Sequence, residues 1–187
     1  MKAYTTRVGE GYFPTELFGK FFPEATKDFR DSVGDAIRKE GNEFGATTGR
    51  PRRCGWLDIP LLKHSINLNN YDSLNLTKLD VLSIMDEIKI GVRYKINGEV
   101  IDHMPSTMEE LAQVEVEYET MKGYILMFVI FHLACSWKTD ISKCKSFAEL
   151  PQEAQDYINR VEELLGIPFS WINTAAERDS IFQHHQN

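Results

Sequence analysis

The sequence predicts an α/β protein, because segments typical of strands alternate with segments typical of helices along the chain. Residues 28–40 and 151–165 place apolar side chains at helical spacing. Between them, residues 88–101 have the pattern of two strands joined by Asn97-Gly98, the pair favoured in a type I′ hairpin. An apolar fraction of 42% and an aromatic fraction of 11% are sufficient for a buried core.

Residues that start and end helices define the elements of the first half. The first helix is expected to end at Gly41, since glycine commonly follows a helix in the left-handed conformation. Residues 42–56 are rich in Gly, Thr and Arg and predict a loop. Asp58, with Pro60 just beyond it, predicts the start of a second helix. The apolar face of that helix is expected at Leu61, Leu62 and Ile66. A strand-like stretch should follow it, with Leu74, Leu76 and Leu79.

The second half is predicted in the same way. Ser106 and Glu109 have the spacing of a capping box, which predicts a short acidic helix. The helix over 151–165 should have Pro151 near its first position and Gly166 after its end. A short strand is expected over 167–172. The last helix should bury one apolar face, formed by Ala154, Tyr157, Ile158, Val161, Leu164 and Leu165.

Composition and charge exclude several classes of function. At roughly 150 residues per domain, 187 residues predict one domain, or one domain and a fragment of another. A formal charge of −7 argues against general binding of nucleic acid, which depends on basic surface. The long apolar run at 124–135 is shorter than the roughly 20 residues that a membrane span needs. The irregular spacing of Cys54, Cys135 and Cys144 predicts reduced thiols in a cytoplasmic protein.

Side-chain spacing predicts neither a catalytic set nor a metal site. No Ser/His/Asp or Cys/His arrangement and no pair of carboxylates stands out. The histidines lack ligand-like spacing, with His132 expected in a core and His184-His185 in a polar tail. The chain opens on the glycine-rich residues 7–15 without a preceding strand, so we expect a larger N-terminal part to be missing.

An arginine-rich segment is the first candidate for ligand binding. Residues 45–53 (GATTGRPRR) contain three guanidinium groups within four residues, which repel one another unless anions lie between them. Gly45 and Gly49 allow the backbone to approach a ligand closely, and two threonines add hydroxyl donors. This pattern predicts binding of a small carboxylate or a phosphate. The alternative is a solvated basic loop paired with the acidic surface.

Two further segments are candidates for binding a nucleotide base. Residues 77–80 (TKLD) resemble the guanine-specificity motif of GTP-binding proteins, in which the carboxylate accepts hydrogen bonds from the guanine N1–H and exocyclic amine. A capping aspartate at a helix start is the alternative interpretation of Asp80. Residues 173–178 follow the last strand as a loop of small residues, at a position where open α/β sheets hold ligands. An ordinary connecting loop is the alternative there.

Together these segments resemble the adenylosuccinate synthetase family, GTP-dependent ligases that join L-aspartate to IMP in purine nucleotide biosynthesis, on the route to AMP. The resemblance covers nearly the whole chain in the family's order. It depends most on the run NEFGATTGRPRRCGW at 42–56, which is highly specific. The other matching segments are residues 4–9, 14–18, 76–82 and 118–121 and the final helix.

The resemblance implies a set of binding residues. The aspartate loop would consist of Ala46, Thr47, Thr48, Gly49, Arg50, Pro51 and Arg52. IMP would contact Val8 and Arg50. GTP would contact Arg52, Lys78, Leu79, Asp80, Asn173, Thr174 and Ala175, the last standing where the family usually has glycine.

The resemblance also implies a fold and a reaction. GTP would phosphorylate the 6-oxygen of IMP with Mg²⁺ present, and the amine of aspartate would then displace phosphate. Residues 1–187 would be the C-terminal part of a large single α/β domain with a P-loop-like sheet, in a family of homodimers. The family's glycine-rich phosphate loop, its catalytic Asp and His and its metal ligand have no match here. The isolated chain is therefore expected to be inactive.

One segment departs from the family pattern. Residues 124–136 separate two segments, YETMKG and WKTDIS, that the family joins almost directly. We interpret this insert as an unspliced intron or a mis-joined gene model, with a lineage-specific insertion as the second possibility.

The competing interpretation of the whole chain is a non-catalytic remnant that binds guanine nucleotide or aspartate at most. An unrelated GTPase is disfavoured, because no GxxxxGK[ST] motif occurs.

Overall fold

The structure is a computed structural model that describes residues 1–17, 27–85, 87–121 and 140–185. In the first helix, side chains are described from residue 33 onward. Strands and helices alternate as the sequence predicts. The chain divides into two compact units, each described here by itself. The hairpin unit comprises Tyr4–Ser65 and Ile90–Glu119, and the α4 unit comprises Met1–Ala3, Ile66–Lys89 and Thr120–Asn187.

The elements are numbered in chain order. The strands are β1 (Thr5–Arg7), β2 (Arg53–Gly55), β3 (Leu57–Asp58), β4 (Leu74–Leu76), β5 (Ile88–Ile96), β6 (Glu99–Ile101), β7 (Glu115–Met121), β8 (Phe169–Asn173) and β9 (Ile181–Gln183). The helices are α1 (Lys27–Glu40), α2 (Ile59–Asn69), α3 (Met108–Leu111) and α4 (Gln152–Leu165). Short 3₁₀ turns cover Asp80–Ile84, Phe147–Glu149 and Arg178–Ser180.

The hairpin unit contains two small sheets. In one, β1 and β2 pair antiparallel, with Arg7 opposite Arg53. In the other, β5 pairs in parallel with β3, antiparallel with β6 and also with β7. Asn97 and Gly98 both have positive φ, at 53° and 83°, as the type I′ turn between β5 and β6 requires. The predicted hairpin is therefore confirmed.

A buried carboxylate joins three elements of the hairpin unit. Asp58 lies at the end of β3, and its Oδ1 accepts a hydrogen bond of 3.1 Å from the Leu61 N–H at the start of α2. Its Oδ2 accepts bonds from the Tyr94 hydroxyl at 2.7 Å and the Thr15 hydroxyl at 3.5 Å. Burial outweighs these bonds and raises the pKa of Asp58 from 3.8 to about 6.

This raised pKa predicts a pH-dependent stability. Between pH 3.8 and about 6 the folded chain binds more protons at Asp58 than the unfolded chain, so stability falls as pH rises through this window. Once the pH exceeds both pKa values, the free energy of unfolding has fallen by about 3 kcal/mol because of Asp58. We expect Asp58→Asn to remove this part of the pH dependence of the free energy of unfolding in urea. Asp102→Asn, at a fully exposed carboxylate, should leave the pH dependence unchanged, and an unchanged profile for Asp58→Asn would contradict the assignment.

The described residues of the α4 unit include a three-stranded sheet and the helix α4. Strand β8 lies in the middle, parallel to β4 and antiparallel to β9. Helix α4 buries Ala154, Tyr157, Ile158, Val161 and Leu165, as its apolar periodicity predicts, while Leu164 is half-buried. Gly166 follows it with a φ of 77°, confirming the predicted left-handed helix end.

Helix α1 ends at Glu40, as predicted, but the left-handed residue after it differs from the prediction by one position. Gly41 does not adopt positive φ; Asn42 does, at 48°. The Glu43 N–H donates to the Arg38 carbonyl at 2.8 Å and the Asn42 N–H to the Lys39 carbonyl at 3.2 Å, which is the Schellman pattern with Asn42 at its left-handed position. Gly41 is needed for a different reason, because a Cβ there would lie 2.2 Å from the Tyr4 hydroxyl.

Three other local predictions are also corrected. Strand β2 lies within residues 42–56, which the sequence predicted as loop throughout. Helix α2 begins where Asp58 predicts, but its buried residue is Ile59, and Leu61 on the predicted apolar face is exposed. The capping box of α3 uses Thr107 and Glu110, one residue later than predicted.

The apolar insert at 124–136, with Cys135 and His132, lies outside the described residues. Neither Cys54 nor Cys144 forms a disulfide with another residue that the structure describes. Within the described ranges, no helix has both the length and the apolar character needed to cross a membrane.

Candidate functional site

The arginine loop, residues 45–53, forms a closed turn in the hairpin unit. The Gly45 N–H donates to the Arg50 carbonyl and the Gly49 N–H to the Gly45 carbonyl, both at 2.8 Å. Gly49 has a φ of 63°, a conformation that side chains rarely adopt. The tip of the loop is exposed to solvent over residues 46–51. The backbone geometry therefore presents the predicted aspartate-binding residues at the surface of this unit.

The structure changes the electrostatic interpretation of the loop. The Arg52 guanidinium donates to Glu43 at 2.8 Å, and Glu43 is 99% buried. Arg53 forms a bidentate pair with Glu16, with both N···O distances at 2.6 Å. This pair raises the pKa of Arg53 above its ordinary value. Two of the three guanidinium groups are thus neutralised by carboxylates of the chain itself rather than by an external anion.

Arg50 differs from its two neighbours. It is exposed, and it forms no ion pair with any residue in the ranges that the structure describes. Its N–H lies 3.4 Å from the Thr48 hydroxyl oxygen, which places a hydroxyl beside the arginine at the loop tip. Arg50 is therefore the arginine of the loop whose guanidinium is available to a ligand carboxylate.

Val8, the predicted IMP contact, lies near the same end of a sheet as the arginine loop. Val8 follows the last residue of β1, and β1 pairs antiparallel with β2, so the end of β1 lies beside the start of β2. Arg53 also donates to the carbonyls of Gly9 at 3.1 Å and Gly11 at 2.7 Å. The structure therefore brings Val8 and the arginine loop together, with the Val8 side chain exposed.

The two predicted guanine segments meet at one edge of the sheet in the α4 unit. Strands β4 and β8 are parallel, with Leu76 opposite Ile172. Residues 78–80 follow β4 and residues 173–175 complete and follow β8, so both segments lie at the carboxyl edge of this strand pair. The carboxyl edge of parallel strands is where open α/β sheets bind ligands. We call this region the guanine edge.

Individual residues of the guanine edge have different environments. Lys78 has a φ of 63°, unusual for a residue with a side chain, and Asp80 begins the 3₁₀ turn after it. Leu79 is fully buried, so its side chain belongs to the core. Thr174 is also fully buried, and its hydroxyl lies within hydrogen-bonding distance of the Ser180 carbonyl at 3.1 Å. Any contact of Leu79 or Thr174 with a nucleotide would therefore involve their main chain.

Comparison with known proteins identifies the family. The model of the adenylosuccinate synthetase family matches residues 1–182. The chain is 56% identical over 181 residues to adenylosuccinate synthetase of Paramecium tetraurelia, covering 97% of this chain and 36% of that protein. The chain belongs to the adenylosuccinate synthetase family. It is 45% identical over 183 residues to the Scheffersomyces stipitis synthetase, covering 98% of this chain and 37% of that protein.

A solved structure supports the fold of this family member. The fully ligated adenylosuccinate synthetase of Plasmodium falciparum superposes with a TM-score of 0.82 at 39% identity, covering 98% of this chain and 38% of that one. The predicted α/β class is thereby confirmed.

The chain spans little more than a third of the length of these relatives. The matches do not support the predicted placement in the C-terminal portion of the family's chain, and that placement is dropped.

Sequence reasoning missed the residues that support the arginine loop. Glu43 accepts a hydrogen bond of 2.7 Å from the Tyr4 hydroxyl as well as the bond from Arg52. Glu16 precedes its partner Arg53 by 37 residues. The only local signal was the position of Glu43, two residues before the loop begins. No spacing rule connects Glu16 or Tyr4 to the loop, because those contacts are made by the folded chain.

Proposed function

We propose that this chain supplies the aspartate-binding loop and the guanine-binding edge of a GTP-dependent ligase that condenses IMP and L-aspartate to adenylosuccinate. The observation that carries the proposal is the parallel pairing of β4 and β8, which gathers residues 78–80 and 173–175 at one sheet edge. Two segments chosen separately from the sequence thus belong to one candidate base-binding site. Family membership supports the reaction class.

At the guanine edge, Asp80 provides the base specificity. Its carboxylate accepts hydrogen bonds from the guanine N1–H and exocyclic amine, whereas adenine presents no donor at N1 and carries no amine at C2. The stem of Lys78 lies along the ring, and Asn173, Thr174 and Ala175 close the opposite side. The backbone of this last segment is already fixed, since the Thr174 N–H donates to the Ser180 carbonyl at 2.9 Å.

In the hairpin unit, Arg50 and the loop hydroxyls bind the dicarboxylate. The exposed guanidinium of Arg50 forms a bidentate pair with one carboxylate of aspartate, and Thr47 and Thr48 donate hydroxyl hydrogen bonds. Val8 and Arg50 face IMP. Arg52 serves GTP while keeping its bond to the buried Glu43. The reaction itself proceeds by phosphorylation of the 6-oxygen of IMP and displacement of phosphate by the aspartate amine.

The chain's own contribution is binding and orientation. Its sequence contains no glycine-rich phosphate loop, so we propose that these residues by themselves bind ligands without turning them over. Mg²⁺, which the family implies, would supply charge neutralisation of the phosphates. The cluster of three metal-ligating side chains found among the described residues contains two histidines, whereas Mg²⁺ prefers oxygen ligands. No step through Mg²⁺ is therefore assigned to this chain.

The remaining partners follow the family. We propose that the complete enzyme is a homodimer that acts in the cytoplasm on small-molecule substrates. The net charge of −7 argues against a nucleic-acid partner.

Hydrogen–deuterium exchange with and without GDP tests the proposal. We expect GDP to slow exchange in peptides covering residues 77–80 and 173–175 together, because one ligand contacts both. ADP at the same concentration serves as the control and should slow neither. Binding of GDP without protection of both segments, or equal protection by ADP, would contradict the proposal.

A further inference from the structure

A cluster of metal-ligating side chains lies in the α4 unit, outside the residues assigned to substrates. Glu162 extends from α4, and His184 and His185 follow β9. One potential ligand atom from each of these residues lies within 4.8 Å of the other two. The sequence predicted a polar tail and no metal site here. That interpretation is wrong for His184, which is buried beside α4.

The two histidines lie at different distances from Glu162: the Nε2 of His185 is within hydrogen-bonding distance of Oε2, at 3.5 Å, and the Nε2 of His184 is not. The Nε2 of His185 lies 3.3 Å from Oε1 of Glu162, and the Nε2 of His184 lies 3.8 Å from Oε2. Two ligands at about 2.0–2.1 Å from a tetrahedral Zn²⁺ are separated by about 3.3 Å. The distance between His185 and Glu162 equals that separation, whereas the distance between His184 and Glu162 exceeds both it and the length of a hydrogen bond.

His184 carries an unsatisfied nitrogen that points to a ligand. Its side chain is 93% buried, and its Nε2 has no hydrogen-bond partner among the described residues. A buried polar atom without a partner is costly, and such atoms are uncommon in folded proteins. The ring stacks on Phe147, with centroids 4.2 Å apart, and the backbone of His184 is fixed because its amide N–H donates to the Ser170 carbonyl at 2.9 Å. The fold thus fixes an imidazole nitrogen toward a carboxylate that it does not reach.

The carboxylate of Glu162 is oriented in turn by its neighbours. Its Oε1 accepts a hydrogen bond of 2.6 Å from the Phe169 N–H at the start of β8. Hydrogen bonds of this kind orient a ligating carboxylate and strengthen metal binding. Glu162 therefore needs no rearrangement of the helix to present its oxygens to an ion.

We propose that Glu162, His184 and His185 bind a divalent transition metal, with Zn²⁺ the best fit to two imidazole nitrogens and one carboxylate oxygen. A fourth position is left for water or an external ligand. The bound metal connects the segment after β9 to α4 and so stabilises the α4 unit. Its ligands are not among the residues assigned to substrates.

Titration of the untagged, metal-free chain with Zn²⁺ tests the proposal. We expect one equivalent to bind and to raise the melting temperature, and Co²⁺ to give the visible absorption of a tetrahedral nitrogen–oxygen site. Glu162→Gln keeps an oxygen for the Phe169 N–H but loses the charge, and it should weaken Zn²⁺ binding on the order of 10- to 100-fold. His184→Gln should remove the Co²⁺ spectrum.

His103→Gln is the matched control, because His103 is 68% exposed and pairs with Asp102 in the hairpin unit. It should bind Zn²⁺ as the unaltered chain does. Absence of Zn²⁺ binding by the unaltered chain would overturn the proposal. An equal loss of Zn²⁺ affinity in the His103→Gln and Glu162→Gln variants would also overturn it. The same holds for a folded His184→Gln variant that retains the Co²⁺ spectrum. Circular dichroism of each metal-free variant shows whether it is folded.

Discussion

Replacing Asp80 by Asn should reverse the base preference of the guanine edge from guanine to xanthine. In the proposed site the Asp80 carboxylate would accept from both donors of guanine, and each hydrogen bond to a charged group contributes roughly 1.5–3 kcal/mol. Asn offers one acceptor and one donor, which match the N1–H and the C2 carbonyl of xanthine. We expect GDP affinity to fall by about a hundredfold or more, because the bond to the exocyclic amine is lost and the bond to the N1–H no longer has a charged acceptor, and we expect XDP affinity to rise.

The control for this substitution is Asp72→Asn. Asp72 is an exposed carboxylate of the same unit that lies shortly before β4, so the change alters net charge equally without touching the guanine edge. It should leave the affinities for GDP and XDP unchanged. A shift of similar size in both variants would attribute the effect of Asp80→Asn to charge alone.

Replacing Arg50 by Leu should produce the second large effect, a loss of affinity for L-aspartate. Arg52 and Arg53 are occupied by Glu43 and Glu16, so neither can replace the guanidinium of Arg50 without breaking an existing pair. A lost charge-assisted bond of 1.5–3 kcal/mol corresponds to a decrease on the order of 10- to 100-fold. Chemical-shift titration of the unaltered chain and of the variant with L-aspartate measures this decrease in affinity.

Two further variants separate geometry from charge at this site. Arg50→Lys keeps the charge but loses the bidentate geometry, and it should give an intermediate affinity for L-aspartate. Lys63→Leu removes an exposed cation of the hairpin unit away from the loop and should have no effect. If Arg50→Leu binds L-aspartate as tightly as Lys63→Leu does, the loop does not hold the dicarboxylate.

The sequence predicted well those elements whose cause is local. Helix α4 follows from apolar residues at helical spacing, and Gly166 ends it because glycine tolerates the left-handed conformation. The turn at Asn97-Gly98 was predictable for the same reason. The left-handed residue after α1 was misplaced because Asn42, too, tolerates positive φ, and the sequence does not show which of two adjacent residues adopts it.

Features that depend on distant parts of the chain could not be predicted from local patterns. Strands β4 and β8 are more than 90 residues apart, and no property of either one specifies parallel pairing. The pairing of Arg53 with Glu16 likewise spans 37 residues. This is why three arginines close together suggested external anions, whereas folding provides carboxylates for two of them. Glu162 and His184 meet for the same reason, although their spacing suggests no metal site.

The candidate residues differ in how far the sequence alone could characterise them. Arg50 and Asp80 are specified by their chemistry, which the sequence displays directly. Leu79 and Thr174 are buried, and the resemblance did not show that only their main chain could face a ligand. Burial is a property of packing, and a sequence motif does not contain it.

The central claim is that the carboxyl edge of β4 and β8 recognises guanine through Asp80. The most direct test is to titrate GDP and XDP into the unaltered chain and into the Asp80→Asn variant by calorimetry. The account predicts that the unaltered chain binds GDP more tightly than XDP and that the variant has the opposite order. If both chains prefer GDP to the same degree, or if the unaltered chain does not distinguish the two nucleotides, Asp80 does not recognise the base.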